Sequence, residues 1–279
     1  MPRTLTSSPL HATVARVDAA LSWVQVRVGL PEDTADWTRC TDVDVAFVAD
    51  WETWMAGSIT RIHGRTHPMT ASGFCLDSYA GIPGQVGGAM IRLARRVPRL
   101  DRASLAFSCG PDAPHPDGVA LLDPRFWCLP DDPDAAHPAA TAVADGAALA
   151  AVLRAQVRTH ADEFLAGYRG GARLPRRGLL GSFFDGIDTG IWFGGDPAAP
   201  TLPAEGSAVL PGGTVEFRDA SSLHLLVDAR ERTHVSRRRL GCCYYFKVAD
   251  DGRACATCPR VDDTERALRY AEIECGPTT

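Results

Sequence analysis

The chain has 279 residues, 45% hydrophobic and 23% charged, with 29 Lys and Arg against 34 Asp and Glu for a formal net charge of −5. That balance is ordinary for a globular protein and provides no global basic field, which argues against nucleic acid as a partner. No apolar run approaches the ~20 residues that span a bilayer, and residues 1–10 lack the features of a secretory leader, so we expect no membrane span and a cytoplasmic location.

Residues 12–30 begin with helix-compatible residues and then alternate, with Val24, Val26 and Val28 on one face, as in a half-buried strand; Pro31-Glu32-Asp33 ends it as a turn. Residues 43–62 repeat Val45, Phe47, Val48, Trp51, Met55 and Ile59 at helical spacing, and Trp51 and Trp54 read as core packing. Pro68 starts a second helical stretch through Leu76, Tyr79 and Ala80. The Gly-rich residues 81–88 lack both the G-x-G-x-x-G order and a preceding strand, so they do not read as a phosphate loop. Residues 89–97 predict a short basic helix, with Arg92, Arg95, Arg96, Arg99 and Arg102 as an exposed face.

Residues 105–107 and 119–122 predict strands around a loop at 110–118, and residues 130–140, rich in Pro, Asp and Ala, read as an exposed connector. The clearest helix is 144–168, with Leu149, Val152, Leu153, Val157, Phe164 and Leu165 on one stripe and Gly170-Gly171 after it. Another helix is expected over 179–192, a loop over 194–213, and strands over 214–217 and 223–227. Helices and strands do not alternate regularly, which predicts an α+β fold: a predominantly helical body with a small antiparallel sheet.

Of nine cysteines, Cys40, Cys75, Cys109, Cys128 and Cys275 are scattered, whereas Cys242, Cys243, Cys255 and Cys258 fall within seventeen residues. The scattered set reads as small buried hydrophobes. In a reducing compartment the cluster points to metal rather than crosslinks. Cys255-Ala256-Thr257-Cys258 is a chelating turn, and Asp251-Gly252 lets the chain fold back toward the other pair. Adjacent side chains of an extended strand face opposite ways, so Cys242 and Cys243 share a site only if the backbone kinks, a freedom Gly241 is placed to supply. Four thiolates suit a [2Fe–2S] cluster, with either one Cys from each pair or one whole pair on each iron. A zinc site with four cysteine ligands is the chief rival, although adjacent ligands are awkward around one tetrahedral ion; a redox dithiol or a pair of disulfides is the third reading.

Arg237-Arg238-Arg239, two residues, Cys242-Cys243-Tyr244-Tyr245 and then Cys255-x-x-Cys258-Pro259 resembles the FhuF family of ferric-siderophore reductases. A weaker likeness lies upstream, where Arg177-Gly178-Leu179-Leu180-Gly181-Ser182 is similar to that family's Arg-x-Leu-Trp-Gly stretch, with Leu180 in place of Trp. The eleven residues between Cys243 and Cys255 are one more than the usual ten, which the Asp251-Gly252 turn absorbs. The resemblance implies that Cys242, Cys243, Cys255 and Cys258 ligate a [2Fe–2S] cluster. It further implies a cytoplasmic enzyme that reduces Fe(III) in a hydroxamate-type siderophore to release Fe(II). The chain has no flavin or nicotinamide fingerprint, so electrons are expected from an external donor such as a ferredoxin or an NAD(P)H-dependent reductase. We divide it into a substrate-binding body, residues 1–232, and a C-terminal iron–sulfur lobe, residues 233–279. The alternatives are an iron–sulfur sensor or electron-transfer protein, and a structural zinc protein with four cysteine ligands that binds siderophore without turnover.

Arg237, Arg238 and Arg239 are candidate substrate-binding residues that would also tune a cluster, set against an ordinary solvated run; no catalytic residue is assigned. Arg173, Arg176 and Arg177 read as solvated. His63 and His67 have metal-pair spacing that Gly64 and Pro68 interrupt. His234 is a candidate hydrogen-bond partner of a cluster sulfur, Tyr244, Tyr245 and Phe246 are candidate shields against water, and Cys275 is a fifth thiol in the tail.

Overall fold

The computed structural model describes residues 8–111 and 113–273. Helix α1 (Leu10–Ala20) leads into β1 (Gln25–Val28) and β2 (Trp37–Arg39). Asp44 then caps α2 (Val45–His63) by accepting the Phe47 N–H at 2.8 Å, and Gly64 ends it in the left-handed region at φ 66°. Helix α3 (Pro68–Ala94) follows, with His67 as its N-cap and Pro68 where a helix has no N–H to lose. Strands β3 (Arg96–Pro98), β4 (Leu105–Cys109), β5 (Pro116–Leu121), β6 (Phe126–Cys128) and β7 (Ala140–Ala142) precede α4 (Gly146–Gly167), which Asp145 caps. Helices α5 (Arg176–Phe193) and α6 (Leu202–Val209), strands β8 (His224–Val227) and β9 (Thr233–Ser236), and α7 (Asp263–Ile273) complete the chain.

The fold is α+β with a predominantly helical body, as expected. A four-stranded sheet in the order β1-β5-β4-β2 places Phe107 opposite Val119, with β1 parallel to β5 and the other pairs antiparallel. Strands β3, β6 and β7 form a second sheet, and β8 and β9 an antiparallel pair. One continuous apolar core joins the sheet to α1, α3, α4 and α5 through residues such as Val17, Tyr79, Leu153 and Phe183. No helix among the described residues is long and apolar enough to cross a membrane.

Residues 81–88 are not a break between two helices: they lie in the interior of α3. Their glycines form the seam with α5, where a Cβ on Gly84 would lie 2.8 Å from Gly186 Cα and Gly88 and Gly190 face backbone just as closely. The tight interhelical contact outweighs the entropic cost of glycine in a helix.

The basic run beyond this seam is not an exposed face. Only Arg95 is exposed. Arg92 donates to the carbonyls of Ile191 and Trp192 at the end of α5 and pairs with Glu205 at 2.7 Å; Arg102 donates to the carbonyls of Cys40 and Val43. Arg96 is 6% exposed and pairs with Asp132 and Asp134 at 2.6 Å, which turns the expected connector 130–140 into a structural counterion. Two further expectations fail nearby. Residues 194–213 contain α6, and 214–217 form a turn in which Thr214 N–H donates to Phe217 O. Trp51 is buried as expected, whereas Trp54 is 37% exposed.

The C-terminal segment docks on α2 and α3. Val248 packs with Met55, Ile59 and Ala71, Arg65 donates to the carbonyls of Val248 and Ala249, and Thr70 Oγ1 donates to Tyr244 O at 2.9 Å. The β8–β9 hairpin straddles the 232/233 boundary drawn from the sequence.

Candidate metal centre

The chain leading into Cys242 is held by buried charges of the α3–α5 pair. Asp185 of α5 accepts the backbone N–H groups of Leu240 at 2.9 Å and Gly241 at 2.8 Å. Burial pushes its carboxyl up to about 6, against the pull of Arg239, Arg237 and those two N–H groups. Arg239 donates to Asp77 of α3 and lies 3.5 Å from Asp185, while Ser182 Oγ donates to the other Asp77 oxygen at 2.7 Å. Arg237 donates to Asp185 O at 2.7 Å and sits over the Trp192 ring at 5.8 Å. The backbone approaches closely because glycines line the contact: a Cβ on Gly181 would lie 2.9 Å from Leu240 Cβ, and one on Gly73 3.1 Å from Cys243 O. The two stretches that carry the sequence resemblance, 177–182 and 237–259, therefore meet in space.

Four sulfurs gather beyond that cradle. Cys242 Sγ lies 3.9 Å from Cys258 Sγ. Cys243 neighbours Cys255, and Cys255 in turn neighbours Cys258. Two thiolates on one tetrahedral metal with bonds of about 2.3 Å lie about 3.8 Å apart, so the Cys242–Cys258 spacing is that of two ligands of one ion. Among the described residues, no group of three or more His, Cys, Asp or Glu side chains closes on a single-ion position. Tyr244, directly after the pair, takes the left-handed region at φ 57°, whereas Gly241 does not. Gly252 (φ 68°) turns the intervening loop as expected.

The electrostatics divide the four sulfurs into two that are drawn down and two that are pushed up. Cys242 is drawn down to about 6, first by the Cys258 thiol against it and then by the Tyr244 backbone N–H. Cys255 is lowered by hydrogen bonds from Cys243 and Cys258, with help from Arg239 and Thr257. Their partners Cys243 and Cys258 move up, because each shares its proton with a neighbouring sulfur and is desolvated. Arg239, half-buried, is the cation facing this group; it adds to the lowering of Cys255 and opposes the rise of Cys243.

The second half of the motif is held by residues that sequence reasoning missed. Arg266 of α7, with a side chain 0% exposed, donates to the carbonyls of Ala256, Cys258 and Val261 at 2.7, 3.2 and 2.9 Å. Arg269 donates to Ala254 O, and Arg239 N–H donates to Thr257 O at 2.9 Å, joining the two cysteine pairs. The amphipathic pattern of 263–273 offered a faint signal; Asp77 and Asp185 offered none, being single carboxylates in helices far along the chain.

The other candidates separate. Arg237 is buried and Arg239 is turned inward onto carboxylates; only Arg238 is exposed, donating to Pro259 O. The three are thus neither a solvated run nor a common substrate face. His63 stacks edge-on against Tyr245 and His67 caps α3, so they form no metal pair. His234 bonds Asp228 at 3.0 Å and stacks on Tyr270, rather than approaching a cluster sulfur. Tyr244, Tyr245 and Phe246 are half-buried beside the site, Phe246 beneath the Arg260 guanidinium at 4.8 Å. Cys40, Cys75 and Cys128 are buried and Cys109 half-buried; Cys275 lies outside the described residues.

Cavities reach the sulfurs from two sides. A 510 Å³ groove is lined by Trp23, Phe74, His115, Arg239 and Cys243. A 180 Å³ cavity is lined by Arg177, Leu240, Cys242 and Tyr244. It shares Leu174, Arg177 and Leu240 with a 1280 Å³ cavity between α4, α5 and the 215–219 loop.

Residues 239–260 match the family model described as the FhuF 2Fe-2S C-terminal domain. No curated protein and no solved structure matches the chain. The matched span begins at the half-buried cation Arg239 and contains all four clustered cysteines, whose donor set and spacing fit that group. Over residues 239–260 the chain is thus similar to the FhuF 2Fe-2S C-terminal domain, and the four cysteines there suit a [2Fe–2S] cluster.

Proposed function

We propose that the protein is a ferric-siderophore reductase in which Cys242, Cys243, Cys255 and Cys258 hold the [2Fe–2S] cluster, residues 233–279 form the cluster lobe and residues 1–232 bind substrate. The observation that carries this reading is the gathering of four sulfurs beside the half-buried Arg239, with Cys243 lining a 510 Å³ groove and Cys242 a 180 Å³ cavity. When bound, the cluster supplies one electron per cycle to Fe(III), and an external ferredoxin or NAD(P)H-dependent reductase restores it. Hard oxygen ligands hold Fe(III) tightly and Fe(II) weakly, so reduction releases the metal. All-thiolate ligation favours a low potential, on the order of −400 mV in plant-type clusters, which suits a reluctant acceptor.

The protein's own groups set the conditions. Arg239 places a fixed positive charge near the sulfurs and favours an added electron. Asp77 and Asp185 keep that cation in place, and Tyr244 and Phe246 limit access of water. Family resemblance makes hydroxamate chelates the first substrates to test, in the cytoplasm. The experiment is anaerobic purification with iron, sulfide and visible absorption measured per chain. Mixing of the reduced protein with a ferric hydroxamate and an Fe(II) trap follows. Trapped Fe(II) is expected, and Cys258→Ser should lose the visible bands. Colourless, iron-free native protein, or a variant with an unchanged spectrum, sinks the ligand assignment; a loaded protein that yields no Fe(II) from any ferric chelate sinks the reductase reading.

A further inference from the structure

The 1280 Å³ cavity is a cationic bowl in an anionic chain. Its wall carries Arg158, Arg169, Arg176, Arg177 and Arg218 against Asp162, Glu216 and Asp219, whereas the whole chain has a net charge of −5. Two of the arginines are matched there: Arg158 pairs with Asp162 at 2.8 Å and Arg177 with Asp219 at 2.6 Å. Glu216 is drawn toward Arg154 at 3.4 Å. The remaining three guanidinium groups have no carboxylate. Arg169 donates only to the carbonyls of Ala166 and Tyr168, and Arg176 and Arg218, both exposed, make no side-chain hydrogen bond or ion pair among the described residues.

The rest of the lining is apolar, with Leu165, Leu179, Leu180 and Phe184 on the helix side. At 1280 Å³ the bowl exceeds the ~300–1,000 Å³ of most small-molecule sites, leaving room for a bulky chelate. Leu174, Arg177 and Leu240 line both this bowl and the cavity that Cys242 and Tyr244 line, so the two are neighbours.

We infer that this bowl binds the ferric chelate and selects complexes that keep free carboxylates after the iron is wrapped. The inference rests on the reductase reading and narrows its substrate class. Three hydroxamates neutralise Fe(III), so a simple tris-hydroxamate complex carries no charge for the arginines to read; a hydroxamate ligand that also bears free carboxylates gives an anionic complex. Planar guanidinium forks match carboxylates in a bidentate manner, and three unmatched ones on one wall supply both attraction and orientation. The apolar helix side receives the organic backbone of the ligand, and Arg177 and Leu240, shared with the neighbouring cavity, set the iron on the side of the bowl nearer Cys242.

The test uses redox-inert Ga(III) complexes of two ligands, a neutral tris-hydroxamate and a carboxylate-bearing citrate–hydroxamate, titrated calorimetrically into the cluster-loaded protein at low salt. Preference for the anionic complex by about tenfold or more is expected, shrinking as salt rises. The doubly substituted Arg176→Ser, Arg218→Ser protein should lose about tenfold in affinity for the anionic complex and less than about twofold for the neutral one. Because both residues are exposed and unpaired, their loss should leave the melting temperature and visible spectrum unchanged. Equal affinity for the two complexes, no binding of either, or a variant that binds as wild type overturns the inference. Fe(II) trapping with the matching ferric complexes separates the two ideas. Charge-selective Ga(III) binding without Fe(II) release leaves the bowl as a binding site and removes the reductase. Fe(II) release without charge preference keeps the reductase and removes the bowl's role.

Discussion

Asp185→Asn tests whether buried charge in the helical body holds the cluster loop. The wild-type carboxylate accepts two backbone N–H groups, from Leu240 and Gly241, and helps to balance Arg237 and Arg239. Asparagine keeps one acceptor oxygen, so its amide must set donor against donor at one of those N–H groups. Losing one charge-assisted bond costs about 1.5–3 kcal/mol, and removing one partner from a buried ion network costs about 3–5 kcal/mol. The two overlap, so a total of about 3–5 kcal/mol is expected near neutral pH, where the native carboxyl is mostly ionised. Urea denaturation of the metal-free chain measures the loss, and iron and sulfide per chain measure whether Cys242 and Cys243 are still presented. A destabilisation below about 1 kcal/mol, together with full cluster content, would refute the view that this carboxylate builds the cradle.

Four other outcomes follow from the same structure. His160 is fully buried, with Nδ1 2.7 Å from Leu100 O and Nε2 2.9 Å from the Tyr79 hydroxyl, and burial lowers its pKa to about 4. Between pH of about 6.5 and 4 the unfolded chain takes up a proton that the native histidine refuses. Its contribution is therefore complete above about 6.5 and is lost as pH falls, by up to about 3 kcal/mol. Asp185, raised to about 6, acts in the opposite sense over part of that window, so the quantity to follow is the difference between wild type and His160→Gln; a difference independent of pH contradicts the assignment. Gly84→Ala should lower stability by about 1–3 kcal/mol or more, because the new methyl meets the Gly186 backbone at 2.8 Å; thermal melts check it, and an unchanged melting temperature means that the seam can open. Arg239→Gln should make the cluster harder to reduce, on the order of tens of millivolts, while Arg239→Lys retains most of the potential; redox titration decides, and equal shifts in the two variants would point to lost packing rather than lost charge. Arg266→Met should reduce cluster content by freeing the carbonyls around Cys258, and undiminished iron per chain would show that the α7 clamp is dispensable.

The strongest local signals were readable without coordinates. Alternation at Val24, Val26 and Val28, the stripe through Leu149, Leu153 and Val157, and the spacing of Cys242, Cys243, Cys255 and Cys258 are each produced by neighbours in the chain, where periodicity and chelate geometry act. What the linear pattern could not carry is anything whose partner lies far away. The glycines of 81–88 look like a helix breaker until α5 supplies the backbone they must accommodate. Arg96 looks solvated until Asp132 and Asp134 fold over it.

The cluster site divides along the same line. The sulfur donors are local, but the carboxylates Asp77 and Asp185 that hold the loop leading to them are single residues with no motif of their own, and Arg176 and Arg218, far apart in the chain, come to one cavity only in the fold. Burial and ion pairing depend on distance through space, and only packing α3 against α5, with the C-terminal lobe laid over both, makes those distances short.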